Sequence, residues 1–235
     1  MTFYLIGTGL NAESLSWEAL KIIRKCKQVY LENYTVDFPF EKKRLERTCN
    51  KKIKELQREE VESEEFLDKA KKENIALLVY GDSLSATTHS ELILNCMKKK
   101  IPHQVIHNAS ILTAISETGL QLYKLGKTTS MPTWKDNWKP DSFTEIIKQN
   151  QSIGAHTLLL IDIALDLEKA KSQLKESLEK NKIEVEKIIL CSNLGVKSRI
   201  YYDNLENLPL RIPKPYCMII PGKLHFHEQD FLEHL

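Results

Sequence analysis

Ile75-Ala-Leu-Leu-Val79, then Tyr80, then Gly81-Asp-Ser-Leu-Ser-Ala-Thr-Thr-His89, then Ser90-Glu-Leu-Ile-Leu-Asn-Cys-Met-Lys98: this continuous stretch decides the fold. The first run is short, apolar and β-branched at both ends, the pattern of a buried strand. The last has apolar residues at helical spacing. Gly81–His89 therefore lies at the carboxyl end of a parallel strand, the edge where open α/β sheets bind ligands. Gly81 allows a tight turn and a close approach to the backbone. Asp82 and Ser83 supply polar groups, and Thr88-His-Ser-Glu91 reads as a capping box that starts the helix. A strand-to-helix turn with no ligand fits the same residues.

The pattern repeats on both sides. Phe3–Ile6 reads as a buried strand, Gly7-Thr-Gly-Leu-Asn11 as a loop, and the helix after it carries Trp17, Leu20, Ile23 and Cys26 on one apolar face, with Ser14 and Ser16 as N-cap candidates. Gln28–Leu31 is a second strand. Between 41 and 73, 21 of 33 residues are charged, so this region supplies solvated helix faces and short edge elements. Ile53 and Leu56 mark a brief strand there, and Ser63–Ala70 a helix with an acidic start. His103–His107 is a strand, and Asn108-Ala-Ser110 leads into a helix at Ile111–Ile115. Alternating strands and helices predict a parallel sheet. Met131–Pro140, with two Pro and two Trp, reads as a loop near a domain boundary. Beyond it come a helix at Phe143–Lys148, a strand at Thr157–Ile161 ending in Asp162, and a helix at Leu167–Leu178. Strands at Lys187–Cys191 and Tyr216–Ile220 and a short helix from Glu228 complete the chain. Two α/β domains are expected, 1–112 and 113–235, with no linker long enough to hold them apart.

Composition narrows the function. With 42% hydrophobic and 28% charged residues over a length of 235, the chain can build a sizeable core. A net charge of +2 makes no electrostatic case for nucleic acid or a membrane surface. The five cysteines, Cys26, Cys49, Cys96, Cys191 and Cys217, are scattered and never form C-x-x-C, which argues for a reducing, cytoplasmic compartment and against a metal site. Thr2–Ile6 is too short for a signal peptide, and no apolar run reaches transmembrane length.

Gly7-Thr-Gly9-Leu-Asn-Ala12 formally matches the dinucleotide fingerprint G-x-G-x-x-G/A, with Glu32 at the end of the next strand. In that fingerprint, however, the helix begins inside the motif so that its N-terminus meets the pyrophosphate. Here it begins near Trp17, several residues late, which weighs against a nicotinamide-dependent oxidoreductase. No Walker loop, H-E-x-x-H or G-x-S-x-G occurs. His225 and His227 lack a ligand partner at metal spacing, and Ser110 reads equally as a helix N-cap. What remains is a set of strand-end loops: Gly7–Asn11, Gly81–His89, Asn108–Ile111, Asp162 and Ser192–Gly195. They combine backbone donors, small hydroxyls and apolar neighbours, which suits an uncharged or zwitterionic ligand better than a polyphosphate.

Gly81-Asp-x-Leu-x-Ala-Thr-Thr-His89 resembles the G-D-P-L-V-A-T-T-H motif of the diphthine synthase family. Ile6-Gly-x-Gly-Leu10, His107-x-Ala-Ser-Ile111, Thr118-Gly-Leu-Gln-Leu-Tyr-Lys-x-Gly126, His156-Thr-Leu-Leu and Pro221-Gly-Lys-Leu-His225 are further matches, in order along nearly the whole chain. The T-T-H and P-G-K-L-H motifs separate this family from the wider tetrapyrrole methylases of the same fold, the runner-up being a precorrin-type methylase. The resemblance implies a two-domain tetrapyrrole-methylase-like fold, with a mainly parallel sheet in the N-terminal domain and a mixed sheet in the C-terminal one. It implies S-adenosylmethionine as methyl donor in the cleft between the domains, S-adenosylhomocysteine as product, and a homodimer. The implied acceptor is the amino group of the 3-amino-3-carboxypropyl-histidine of translation elongation factor 2, trimethylated to diphthine in diphthamide biosynthesis. Eukaryotic members add a further methyl to the carboxylate, whereas the length of this chain and its lack of an extended C-terminal tail look archaeal. Cofactor contacts carry over to Leu10, Asp82, Ser85, Ser110, Ile111, Ile161, Leu194 and Tyr216. Departures are Ser83 in place of Pro, Ser85 of Val, Asn108 of a smaller residue, Ser192–Gly195 of an Arg-containing turn, and Tyr216 of His. In-line methyl transfer to an amine requires alignment and loss of a proton. Asp82 and Asp162 are candidates to take that proton, as is solvent. The loop bearing Trp134 and Trp138 is expected to form part of the docking surface for the factor, unless these rings pack in a core or dimer interface.

Overall fold

The computed structural model describes residues 1–235. The chain divides into two compact units, Met1–Ala114 and Ile115–Leu235. In the first, β1 (Phe3–Gly7), β2 (Gln28–Glu32), β3 (Lys54–Leu56), β4 (Ile75–Val79) and β5 (His103–Ile106) form one sheet in the order β3-β2-β4-β1-β5. Every pairing is parallel. β4 is buried at all five positions, as the apolar run predicts for a strand covered on both faces. Its side chains alternate: Ile75, Leu77 and Val79 join Phe3, Leu5 and Phe66 in one core, while Ala76 and Leu78 join Ile6, Ile23 and Leu45 in the other.

The covering helices explain that division. α1 (Trp17–Lys25) and α2 (Lys42–Cys49) bury Ala19, Ile23, Leu45 and Cys49 against one face. A short α3 (Arg58–Glu62), a 3₁₀ segment (Glu65–Lys71) and α4 (Ser90–Lys98) bury Val61, Phe66, Leu67, Leu92 and Cys96 against the other. Two expectations need correction. The helix expected over Ser63–Ala70 is a 3₁₀ segment at Glu65–Lys71. Trp17 lies outside the core, 66% exposed, with the Arg24 guanidinium over its ring. α2 forms inside the charged stretch because two apolar positions, Leu45 and Cys49, suffice to anchor it.

In the second unit, after the short α5 (Ile111–Ala114) that ends the first, β6 (Thr129–Met131), β7 (Thr157–Ile161), β8 (Ile188–Ser192), β9 (Arg199–Asp203) and β10 (Tyr216–Ile220) pair in the order β6-β7-β10-β8-β9. β6 runs parallel to β7 and the other pairings are antiparallel, so the sheet is mixed. α6 (Phe143–Ser152) and α7 (Leu167–Lys180) bury Phe143, Ile147, Leu167, Ala170 and Leu174 against it, and α8 (Phe226–Glu233) closes the chain. Met131–Pro140 lies inside this unit rather than at a boundary. All five cysteines are free and buried. No helix is long and apolar enough to cross a membrane.

Candidate functional site

β1 and β4 are neighbours, but the chain leaves them in different directions. The connection from β1 passes through α1 on one face to β2, and that from β4 passes through α4 on the other face to β5. Strand order reverses between them, and at such a switch point the two loops diverge and leave a crevice at the carboxyl edge.

Here the loops are stitched together. Gly9 and Gly81 exchange backbone hydrogen bonds, each N–H donating to the other's carbonyl at 3.0 Å. Both sit in the left-handed region, at φ +71° and +70°, and a Cβ on Gly9 would lie 2.5 Å from the Ser14 side chain. The Tyr80 hydroxyl donates to Leu10 O at 3.1 Å. Asn108, at the end of β5, ties in the third loop: its Nδ2 donates to Gly7 O (3.1 Å) and Ser14 O (2.9 Å).

Asp82 is the hub. Its Oδ1 accepts from Leu84 N at 3.0 Å and Ser85 Oγ at 3.3 Å; its Oδ2 accepts from Asn108 N at 3.0 Å and pairs with His107 Nδ1 at 2.8 Å. Burial opposes its charge, yet the Leu84 and Asn108 N–H groups and His107 hold the carboxyl below its ordinary range. Asp82 is thus an ionised acceptor with both oxygens engaged, a shape-holding group rather than a proton acceptor. Of the predicted contacts, Leu10, Asp82 and Ser85 come together here, and Ser110 approaches Gly81, whose Cβ would lie 3.6 Å from Ser110 Cα. Ile111 follows as the first residue of α5. None of these five is basic.

The capping box expected at Thr88–Glu91 does not form: α4 starts after His89 with no side-chain cap bond. Thr87 does the local work instead, its Oγ1 donating to Ser83 O at 2.8 Å and accepting from His89 N at 3.4 Å. His89 lies 3.3 Å from Glu32, with both side chains almost fully buried. Burial pushes the His89 imidazole below its ordinary pKa, against the pull of Glu32. Glu32 also accepts from Thr35 Oγ1 at 2.7 Å. Held this way, it is unavailable to a ribose, which removes the acidic residue that a dinucleotide reading needs. α1 starts at Trp17 on a Ser16 cap, as expected. Ser83 is fully buried, and its hydroxyl has no partner.

In the second unit, Ile161, Leu194 and Tyr216 share one sheet edge. Tyr216 pairs with Ser192, Cys217 pairs with Leu160, and Asn193 N donates to Pro215 O at 3.0 Å. The Tyr216 hydroxyl donates to Leu165 O at 2.8 Å, and burial raises its pKa well above the ordinary value. Asp162 accepts from Thr133 N (3.1 Å) and Ala164 N (3.3 Å). Burial opposes its charge, but those bonds and Lys214 hold its pKa low, so it too is a poor proton acceptor. Trp134 Nε1 donates to Pro140 O at 2.9 Å and Lys139 lies over its ring, while Trp138 is 54% exposed.

The family motifs of this unit converge on a buried latch. Gly222 N donates to His156 Nδ1 at 2.8 Å, so the imidazole proton sits on Nε2, which donates to Glu228 Oε1 at 3.2 Å. Glu228 also accepts from Gln121 N at 2.9 Å, His225 N at 2.7 Å and Lys124 Nζ. Burial works against this carboxylate, but the His225, Lys124 and Gln121 donors hold it at about 2. The P-G-K-L-H and H-T-L-L motifs are thereby accounted for as architecture. Sequence reasoning singled out neither Glu228 as the hub of this latch nor His107 as the partner of Asp82. Each pairing spans a sequence distance that local patterns do not reach.

Residues 2–209 match the tetrapyrrole (corrin/porphyrin) methylase family. The chain is 44% identical over 182 residues to the diphthine methyl ester synthase of Homo sapiens, an alignment covering 76% of this chain and 62% of that protein. It thus spans less than two thirds of the length of that curated relative. A crystal structure of the provisionally named diphthine synthase of Entamoeba histolytica superimposes with a TM-score of 0.90 at 31% identity, covering 99% of this chain and 97% of that one. A second diphthine synthase structure gives 0.88 at 29% identity, covering 100% and 95%. The likeness runs through both units: the chain belongs to the tetrapyrrole methylase family and, within it, to the diphthine synthases.

Proposed function

We propose that the chain is an S-adenosylmethionine-dependent methyltransferase of diphthamide biosynthesis. It methylates the amino group of the 3-amino-3-carboxypropyl-histidine of translation elongation factor 2, acting in the cytoplasm as a homodimer. The observation that carries this reading is the Gly9–Gly81–Asp82–Asn108 edge, set at a switch point in a chain that belongs to the diphthine synthases. That edge fits the donor. It offers backbone groups, the Ser85 and Ser110 hydroxyls and apolar Leu10 and Ile111, with no basic residue among them to demand a polyphosphate. We assign its contacts to Leu10, Asp82, Ser85, Ser110 and Ile111 in the first unit and to Ile161, Leu194 and Tyr216 in the second. Bound there, S-adenosylmethionine supplies an activated methyl group on a sulfonium.

The chain's own contribution is placement and dryness. Asp82, locked by four donors, keeps the β4 and β5 loops in register, and a misalignment of the acceptor amine by an ångström costs about a hundredfold in rate. Trp138 presents an exposed aromatic surface suited to a folded protein acceptor, and we place part of the elongation factor's docking surface there. A second reading of the product is favoured by the name of the human relative: further methylation of the acceptor's carboxylate to an ester. A precorrin-type product finds no such support.

The test is transfer. The protein is incubated with labelled S-adenosylmethionine and elongation factor 2 carrying the aminocarboxypropyl histidine, and the modified peptide is analysed by mass spectrometry. Label on the amine is expected, with an additional base-labile methyl if the ester is also made. Absence of transfer to the factor overturns the proposal.

A further inference from the structure

Amine methylation needs a proton acceptor, because the acceptor amine is an ammonium at neutral pH and only its free form attacks. The two carboxylates at the strand ends are unsuited to this, Asp82 and Asp162 both being held ionised by the N–H groups around them. A third group is better placed. His107 follows β5 directly, on the strand next to β1. Its Nδ1 lies 2.8 Å from Asp82 Oδ2. An ionised carboxylate can only accept, so Nδ1 carries a proton, and in the neutral ring the lone pair is then on Nε2. Nε2 makes no hydrogen bond in the structure, and the side chain is 68% exposed while that of Asp82 is 9% exposed. A buried carboxylate that fixes the tautomer and orientation of an open imidazole is the arrangement by which proteins set up a general base.

We propose that His107 is the general base of the methyl transfer and Asp82 its positioning residue. The inference rests on the methyltransferase reading above. Nε2 takes a proton from the acceptor ammonium. The freed nitrogen lone pair forms a bond to the methyl carbon as the carbon–sulfur bond breaks, and its electron pair stays on sulfur. The imidazolium returns its proton to solvent before the next methylation. Asp82 is the charged group that faces the ring, and its carboxylate stabilises the imidazolium while it lasts. The same contacts explain why Asp82 needs no free oxygen of its own.

Two variants separate chemistry from architecture. His107→Asn keeps an N–H donor where Nδ1 stands but has no titratable nitrogen. His107→Ala opens a space that added imidazole can enter. Amine methylation of elongation factor 2 is followed against pH, and binding of S-adenosylhomocysteine is measured by calorimetry in parallel. For both variants, we expect a rate loss on the order of a hundredfold at neutral pH. The loss should shrink as pH rises and solvent supplies the free amine, binding should stay within about twofold, and imidazole should restore His107→Ala. A pH-independent loss, full activity in His107→Asn, or collapse of cofactor binding would overturn the role of His107 as base. Wild-type protein that binds the cofactor but transfers nothing at any pH would overturn the methyltransferase reading itself, and the base with it.

Discussion

At the scale of the residue, Ser83 is a position where the loop departs from the G-D-P-L motif it resembles. That motif has proline there, a residue with no hydroxyl to satisfy. Here the side chain is fully buried and its Oγ lacks a partner, although the Ser83 carbonyl is used by Thr87. A buried hydroxyl without a hydrogen bond costs about 1–3 kcal/mol of desolvation. Ser83→Ala removes the hydroxyl and leaves the Thr87 bond to the carbonyl intact. The variant should be more stable by about 1 kcal/mol, a rise of roughly 2–4 °C in melting temperature for a chain of this size. Calorimetric melting decides it; a lower melting temperature would mean that the hydroxyl has a role in holding the loop. The loop's other exacting positions were legible from residue type alone. Gly9 and Gly81 are glycines because each has positive φ and the two backbones meet.

At the scale of the element, legibility follows burial. β1, β2 and β4 are covered on both faces, so they stand out as apolar runs, and the helices between them show an apolar stripe. β6 and β9 are edge strands with half-exposed faces, and their sequences, Thr-Ser-Met and Arg-Ile-Tyr-Tyr-Asp, carry no such run. α8 is the instructive case. Phe226 is 67% exposed and Leu232 is its one buried apolar side chain, so apolar packing accounts for only part of its place. Glu228 supplies the rest, through four donors from the His156, Gln121, Lys124 and His225 positions. All four are donors, so an amide in place of the carboxylate turns its NH₂ toward at least one of them. A carboxyl held at about 2 rather than 4.5 contributes on the order of 3 kcal/mol at neutral pH. Glu228→Gln should therefore lower stability by about 3 kcal/mol in denaturant unfolding. A loss under about 1 kcal/mol would mean that the latch is ornamental.

At the scale of the whole molecule, the two units carry the same electrostatic signature, and this sets how the protein meets acid. Asp82 in the first unit and Asp162 and Glu228 in the second have carboxyls held below their ordinary values by N–H and cationic partners, against the effect of burial. His89 in the first and His156 in the second are pushed down by burial, away from 6.5. For the depressed carboxylates, stability is present above the unfolded values of 3.8 and 4.5 and is lost as pH falls through the folded ones. The histidines act earlier. Below 6.5 the unfolded chain takes protons that the buried rings resist, so stability declines as pH falls through that value. Both effects have one sign, and each is present in both units. Whether the units melt together or apart, every transition should therefore shift in the same direction. Melting temperature should be level around neutral pH, begin to fall near 6.5, and fall more steeply below 4.5. Removing the buried titratable ring of the first unit with His89→Gln should flatten the upper step of the fall and leave the lower one. A stability maximum between the two steps would contradict the assignment of His89 and His156 as buried neutral rings, because only groups that bind protons more tightly in the folded state can raise stability on acidification.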